Sequence, residues 1–204
     1  MARAQRPLPS TVEEVDGEDW DGRDVGSEVF ERVLFREVDM TDLVSSGATF
    51  QDCVFRDVRL GGSVHTGTAF VGCAFTSTSL FGARLVGCKL VGSWFERCTF
   101  TGLEVEGGDW GFVGLAGAAL GRVRFTDVRL READLAGVSA KGATFRRCDL
   151  SGAWLHGADL VDADLRGSDL VTLEPPEVLL RGARIDALQA VQIAESLGLV
   201  VEPD

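Results

Sequence analysis

From Phe30 to Leu170, large apolar residues stand at almost every fifth position. The series runs through Phe35, Phe50, Phe55, Phe70, Phe75 and Phe95, then Leu115, Leu135, Leu155 and Leu165, and only Ser45, His65 and Ala140 interrupt it. Two residues before most of these stands a small one, as at Ala48, Cys53, Thr68, Cys73, Ala133 and Ala158. Glycine often follows two residues after, as at Gly62, Gly82, Gly152 and Gly167. A helix places apolar residues at a spacing of about 3.6 and a half-buried strand at 2, so a period of five fits neither. It fits a coil in which each five-residue unit forms one side of a square, its large and small residues pointing inward together as alternate strand positions do. Twenty residues then complete a turn, and stacked turns bond through their backbones at about 4.8 Å. The expected fold is all-β: a quadrilateral β-helix whose columns join residues twenty apart, with Phe35, Phe55, Phe75 and Phe95 giving way to Leu115, Leu135 and Leu155.

The ends depart from the register. Residues 1–17 carry no repeat and are rich in proline, serine and acid, which predicts a mobile N-terminal tail. The coil is assigned to 18–185. Pro175 and Pro176 cannot supply ladder hydrogen bonds, so the side that holds them is expected to be irregular. Asp186 and Gln189 form a capping-box pattern ahead of Ala187, Leu188, Ala190, Val191, Ala194 and Leu197, which predicts a short α-helix over about 187–197 with Gly198 as its stop. Leu199, Val200 and Val201 read as a short strand. Residues 186–204 are thus a helix and strand that cap the coil, whose open backbone edge would otherwise invite association.

Two stretches, GARLVGCKL (82–90) and ATFRRCDLSGAWLHGADLVDADLRGSDL (143–170), resemble the pentapeptide-repeat family, and the likeness extends over roughly 20–185. The segments SVHTGTAFVGCAF (63–75) and LRGARIDALQAVQIAESLGLVV (180–201) are similar to its mycobacterial fluoroquinolone-resistance branch. The resemblance implies a right-handed coil and a non-catalytic protein that imitates DNA, binds and modulates DNA gyrase, a type II topoisomerase, and confers resistance to fluoroquinolones. It also implies a homodimer joined through the C-terminal segment, with Leu188, Val191, Ala194, Leu197 and Leu199 as candidate contacts. A scaffold or interaction module of unrelated role is the alternative, since fold alone does not imply function.

Charge sharpens this picture. The 204 residues carry a net charge of −12, which disfavours direct nucleic-acid binding and favours a basic partner. The acid is uneven: net −9 over 13–42, +3 over 43–148 and −6 over 149–177. Duplex DNA carries one charge per about 1.7 Å, so the whole rod is too weakly charged to imitate it, whereas the last block, doubled across a two-fold axis, approaches that density. Asp149, Asp159, Asp162, Asp164, Asp169 and Glu174 are expected to point outward there and bind the partner. A basic stretch holding Arg122, Arg124, Arg129, Arg131, Arg146 and Arg147 departs from a uniform mimic.

Catalytic chemistry finds little support. Two histidines and no tyrosine leave few general acids or bases, and the outward carboxylates are spread over several sides with no loop to build a cleft. His65 reads as a hydrogen-bonded core residue or a local bulge, and His156 points outward alone. All five cysteines occupy the small inward position and read as core thiols. Cys53 and Cys73 lie one turn apart, within bridging reach in principle, but a reduced cytoplasmic setting is expected. No spacing suggests a metal or cofactor, and no apolar run is long enough for a membrane span.

Overall fold

The computed structural model describes residues 6–171 and 173–202 and is a four-sided parallel β-solenoid closed by one α-helix. Every strand pairs in parallel with residues twenty positions away. On the first face Glu13–Asp16, Val33–Arg36, Val54–Arg56, Ala74–Thr76 and Trp94–Glu96 lie in register, and single bridges extend the column through Gly114, Asp134 and Trp154. The second face is held by bridges alone, such as Asp39 to Arg59 and Ser139 to Asp159. The third carries six strands, from Val44–Ser46 to Thr144–Arg146, and the fourth carries three, beginning at Val29–Glu31.

A strand only three residues long is too weak to persist alone, so the vertical stack and its packed interior hold each side in place. On the first face Phe35, Phe55, Phe75 and Phe95 stack nearly parallel with centroids 5.1, 4.6 and 4.5 Å apart. Phe30, Phe50 and Phe70 do the same on the fourth at 4.8 Å per step. Between columns the rings meet edge to face, as Phe55 does with Phe70. The rung spacing imposes the stacked geometry within a column, and the square section allows the edge contacts that aromatic quadrupoles favour.

The corners explain the rest of the repeat. The second residue after most of the large ones turns the chain, often with a bond such as Ala163 N–H to the Leu160 carbonyl at 3.1 Å, and it takes a left-handed backbone. Glycine fills many of these sites, but thirteen described non-glycine residues also occupy them, among them Asp42, Asp52, Asp127 and Asp162. Aspartate tolerates this region better than most residues. Gly108 serves a different need. It precedes Trp110 on the inward side, and a Cβ there would lie 2.1 Å from the Cys88 carbonyl oxygen.

Two expectations about the ends are corrected. Residues 13–16, assigned to the tail, form the first strand, paired from Glu13 with Val33 to Asp16 with Arg36. Val15 supplies their inward residue, while acids at 13, 14 and 16 hide it from a search for large apolar positions. Of the rest of that tail, 1–5 lie outside the described residues. At the other end the helix spans Ala187–Ser196 with the expected reciprocal capping by Asp186 and Gln189. Leu199, Val200 and Val201, expected as a strand, are irregular and largely exposed, because the single chain offers them no partner strand. Gln189 is buried, and its Nε2 donates to the carbonyls of Leu165 and Ser168 at 2.7 Å each. Its Oε1 accepts from Asp186 N–H at 2.8 Å. A side-chain amide thereby substitutes for part of a missing rung. The irregular side contains the 3₁₀ turn Pro175–Glu177.

Phe55 touches stacked rings above and below, so Phe55→Ala is expected to cost about 3–5 kcal/mol of stability, read as a lowered guanidinium midpoint. The exposed Trp154→Ala should shift it by less than about 0.5 kcal/mol in the same measurement.

Candidate partner-binding surface

The aspartates that precede large inward residues have a local task. Asp149 Oδ1 accepts from Ser151 N–H at 3.2 Å, Asp159 from Val161 at 3.2 Å, Asp164 from Arg166 at 3.3 Å and Asp169 from Val171 at 3.0 Å. Asp19, Asp24, Asp39 and Asp109 repeat the contact in earlier turns. Each carboxylate closes an Asx-type turn over the corner amide that the ladder leaves unpaired. This part of the acidic pattern therefore serves the coil itself.

The six candidate acids do not converge. Asp149 and Asp169 lie on the fourth face, Asp159 on the second, Asp164 on the third and Asp162 at the corner between the second and third. Glu174 leads into the 3₁₀ turn. Several are also neutralised. Asp149 pairs with Arg131, and Asp159 with Lys141 at 3.1 Å. Asp164, expected to be an outward charge, is 8% exposed. The Arg166 guanidinium grips both its oxygens at 2.8 and 2.7 Å and holds its pKa at about 2. The expectation of an open, partner-facing carboxylate is corrected: Arg166, itself half-exposed, folds back across Asp164 and covers it. Asp162 and Glu174 remain exposed and Asp169 half so.

A residue overlooked in the sequence stands beside Glu174. Trp154 is 64% exposed and borders a concavity of about 450 Å³ with His156, Glu174, Glu177 and Val178. Glu177 Oε2 lies 2.7 Å from His156 Nδ1 and raises the imidazole pKa, so His156 is paired rather than alone. The register itself carried the signal, since position 154 directly precedes a large inward residue and so faces out. On the helix, Leu188 and Leu197 are exposed, as is Leu199 just beyond, whereas Val191 and Ala194 are half-buried.

Much of the basic stretch is compensated. Arg124 meets Glu104 at 2.9 Å, Arg129 meets Asp109 at 3.4 Å, and Arg147 forms two bonds with Asp127. Most pairs join residues twenty apart, so they are ladder neighbours of opposite sign.

The pentapeptide-repeat model matches in eight copies, over 53–90, 115–152, 124–160 and 143–171. This chain is a pentapeptide-repeat protein. No curated protein matches its sequence. Among solved structures it is similar to QnrB1, a plasmid-mediated fluoroquinolone resistance protein, at 21% identity over 93% of this chain and 99% of that one, with a TM-score of 0.51. It is also similar to HetL of the cyanobacterium Nostoc, a pentapeptide repeat protein involved in heterocyst differentiation regulation, at 20% identity over 86% and 87%, with a TM-score of 0.53. Both likenesses are of fold.

Inside this pentapeptide-repeat protein the reactive groups are sealed. His65 is buried without a bulge, its Nδ1 2.7 Å from Ser45 Oγ and its Nε2 3.1 Å from Ser63 Oγ, and Ser45 also meets Thr68 Oγ1 at 2.7 Å. Burial lowers the His65 pKa to about 4. The five cysteines are free thiols, four of them buried. Burial pushes Cys88, Cys98 and Cys148 up to about 11, which suits packing rather than nucleophilic attack. Among the described residues no group of three metal-ligating side chains converges, and no helix is long and apolar enough to cross a membrane.

His65 titrates near 6.5 when unfolded and near 4 when folded, so the unfolded chain binds the extra proton between those values. Its contribution is fully present above pH 6.5 and is lost as the pH falls toward 4. At most about 3 kcal/mol is at stake. His65→Leu should flatten the pH dependence of the urea midpoint in that window relative to the parent, and an unchanged slope would contradict the assignment.

Proposed function

We propose that the protein binds the basic DNA-handling surface of DNA gyrase through its C-terminal end, imitating a short duplex and lowering the enzyme's susceptibility to fluoroquinolones. The observation that carries this reading lies at one end of the rod: Trp154 and Glu174 border one concavity, Asp162 is exposed in the same last turns, and the segment that follows exposes the apolar side chains of Leu188, Leu197 and Leu199. A tryptophan among acids suits an arginine- or lysine-rich surface, since the ring face attracts cations while the carboxylates pair with them. Joining two copies through the apolar end would bring two such sites together, and a two-fold dimer is the commonest closed assembly. The likeness of residues 63–75 and 180–201 to the mycobacterial resistance protein MfpA supports gyrase as the partner, and the fold shared with QnrB1 is compatible with it.

A second reading, a scaffold for an unrelated complex, draws on the corner-closing aspartates and the compensated Arg/Asp ladders. These remove much of the acid from the surface that duplex mimicry requires.

A supercoiling assay with the host's gyrase separates the two. Inhibition by the parent at micromolar concentration is expected, weakened at least about tenfold in a variant combining Asp162→Asn, Asp169→Asn, Glu174→Gln and Trp154→Ala. Asparagine retains the oxygen that closes the Asx turn, so circular dichroism should not change. Absence of inhibition by the parent would favour the scaffold. Separately, Leu188→Glu with Leu197→Glu is expected to convert a dimer to a monomer in sedimentation.

A further inference from the structure

Along one stretch of the first face the outward-facing side chains are hidden from solvent. Val54 is 2% exposed, Ala74 0% and Thr76 6%, whereas the outward valines of the third face, Val44 and Val64, are 40% and 38% exposed. The third face is bare; the first has a cover. Residues 6–10, Arg-Pro-Leu-Pro-Ser, form it.

Both ends of this segment are fixed to the coil. The Ser10 carbonyl accepts from Arg32 Nε at 2.9 Å, and its hydroxyl from Arg32 Nη2 at 3.3 Å. At the far end the Arg6 guanidinium rests against Gly114, where an added Cβ would meet Nη1 at 2.8 Å. Arg32 and Gly114 are about four turns apart, or about 19 Å along the stack. Four steps of polyproline-like chain at about 3.1 Å, with an extended arginine side chain, cover that distance. The segment therefore crosses the rungs lengthwise as a strap. Pro7 and Pro9 suit this course, for they hold the chain extended and give up ladder donors.

The strap fits loosely between its anchors. Two clefts of about 510 Å³ each flank it, one lined by Pro7 and Leu8 with Arg56, Thr76 and Trp94, the other by Pro9 and Ser10 with Asp52 and Gly72. Leu8 itself is 44% exposed.

We propose that the first face is a docking groove for an extended, proline-containing segment bearing an arginine, and that residues 6–10 occupy it as a ligand in cis. The partner is a protein segment of the strap's own chemistry. Its arginine enters the gap that Gly114 leaves beside Trp94, and its apolar and proline residues lie over Val54 and Ala74. Tethering gives the strap a high effective concentration, so the groove is open to a partner only once the strap is displaced.

The full chain carrying Thr76→Cys tests this, because Thr76 lies under the strap and four of the five native thiols are buried, with the fifth half-buried. The Thr76→Cys thiol should react slowly with a maleimide, and at least about tenfold faster when Arg6→Glu and Leu8→Asp, or independently Pro7→Gly and Pro9→Gly, are added. A fluorescent peptide of residues 6–12 should then raise its anisotropy with the strap-released chain, bind the parent at least about tenfold more weakly, and lose binding with Trp94→Ala. Equal thiol reactivity in parent and strap variants would overturn the proposal, as would failure of the peptide to bind the opened chain at millimolar concentration. Binding as tight to the parent as to the opened chain would do so too. Circular dichroism of each variant identifies any that has lost the coil, and the independent proline pair then supplies the readout.

Discussion

Every side chain in the coil has the residue twenty positions earlier beneath it and the residue twenty positions later above it, at the spacing of one parallel rung. That constraint organises the molecule. Inside, it lays phenylalanine on phenylalanine from 35 to 95 on the first face and from 30 to 70 on the fourth, while Trp110 of the fourth face reaches across columns to pack against Phe95 and Phe125. Outside, it makes ladder partners of Arg124 and Glu104, and of Asp39 and Arg59. The same rule lets the core accept a polar rung: Ser45 is small where His65 above it is large, and each supplies the other's hydrogen bond.

Much of this was legible because the inward positions repeat with a fixed period and their chemistry is decided by burial alone. The capping of the helix by Asp186 and Gln189 is equally local and was readable for that reason. Outward positions follow other rules. Asp149, Asp159, Asp164 and Asp169 looked like a charge display, yet each first serves the corner two residues ahead, and Asp164 then disappears beneath Arg166. Nothing in the period announces the fate of a second oxygen atom. The first strand escaped notice for the opposite reason, since its single inward residue, Val15, is surrounded by acids that face solvent. The strap of residues 6–10 depends on a contact more than a hundred positions away, at Gly114, which no local pattern encodes.

The surface thus divides between residues that build the coil and residues free to meet something else. Aspartates before inward positions belong mostly to the first group. Trp154, Glu174 and Asp162 belong to the second, together with the apolar side chains at the C-terminal end. An acidic composition is consequently a poor guide to binding in such a coil, because the fold consumes carboxylates as turn closures before any partner is involved. Aromatic residues at outward register positions are more informative, having no comparable structural task.

Gln189 bears on growth. A coil whose last turn offers unpaired carbonyls is a template on which another copy's first turn could stack, and repetition would yield a filament. By donating to Leu165 and Ser168 and accepting from Asp186, this one side-chain amide occupies part of that template with a group that cannot be extended. It works as a chain terminator in the sense of polymer chemistry, and it helps make a periodic sequence with no intrinsic length into a particle of defined size.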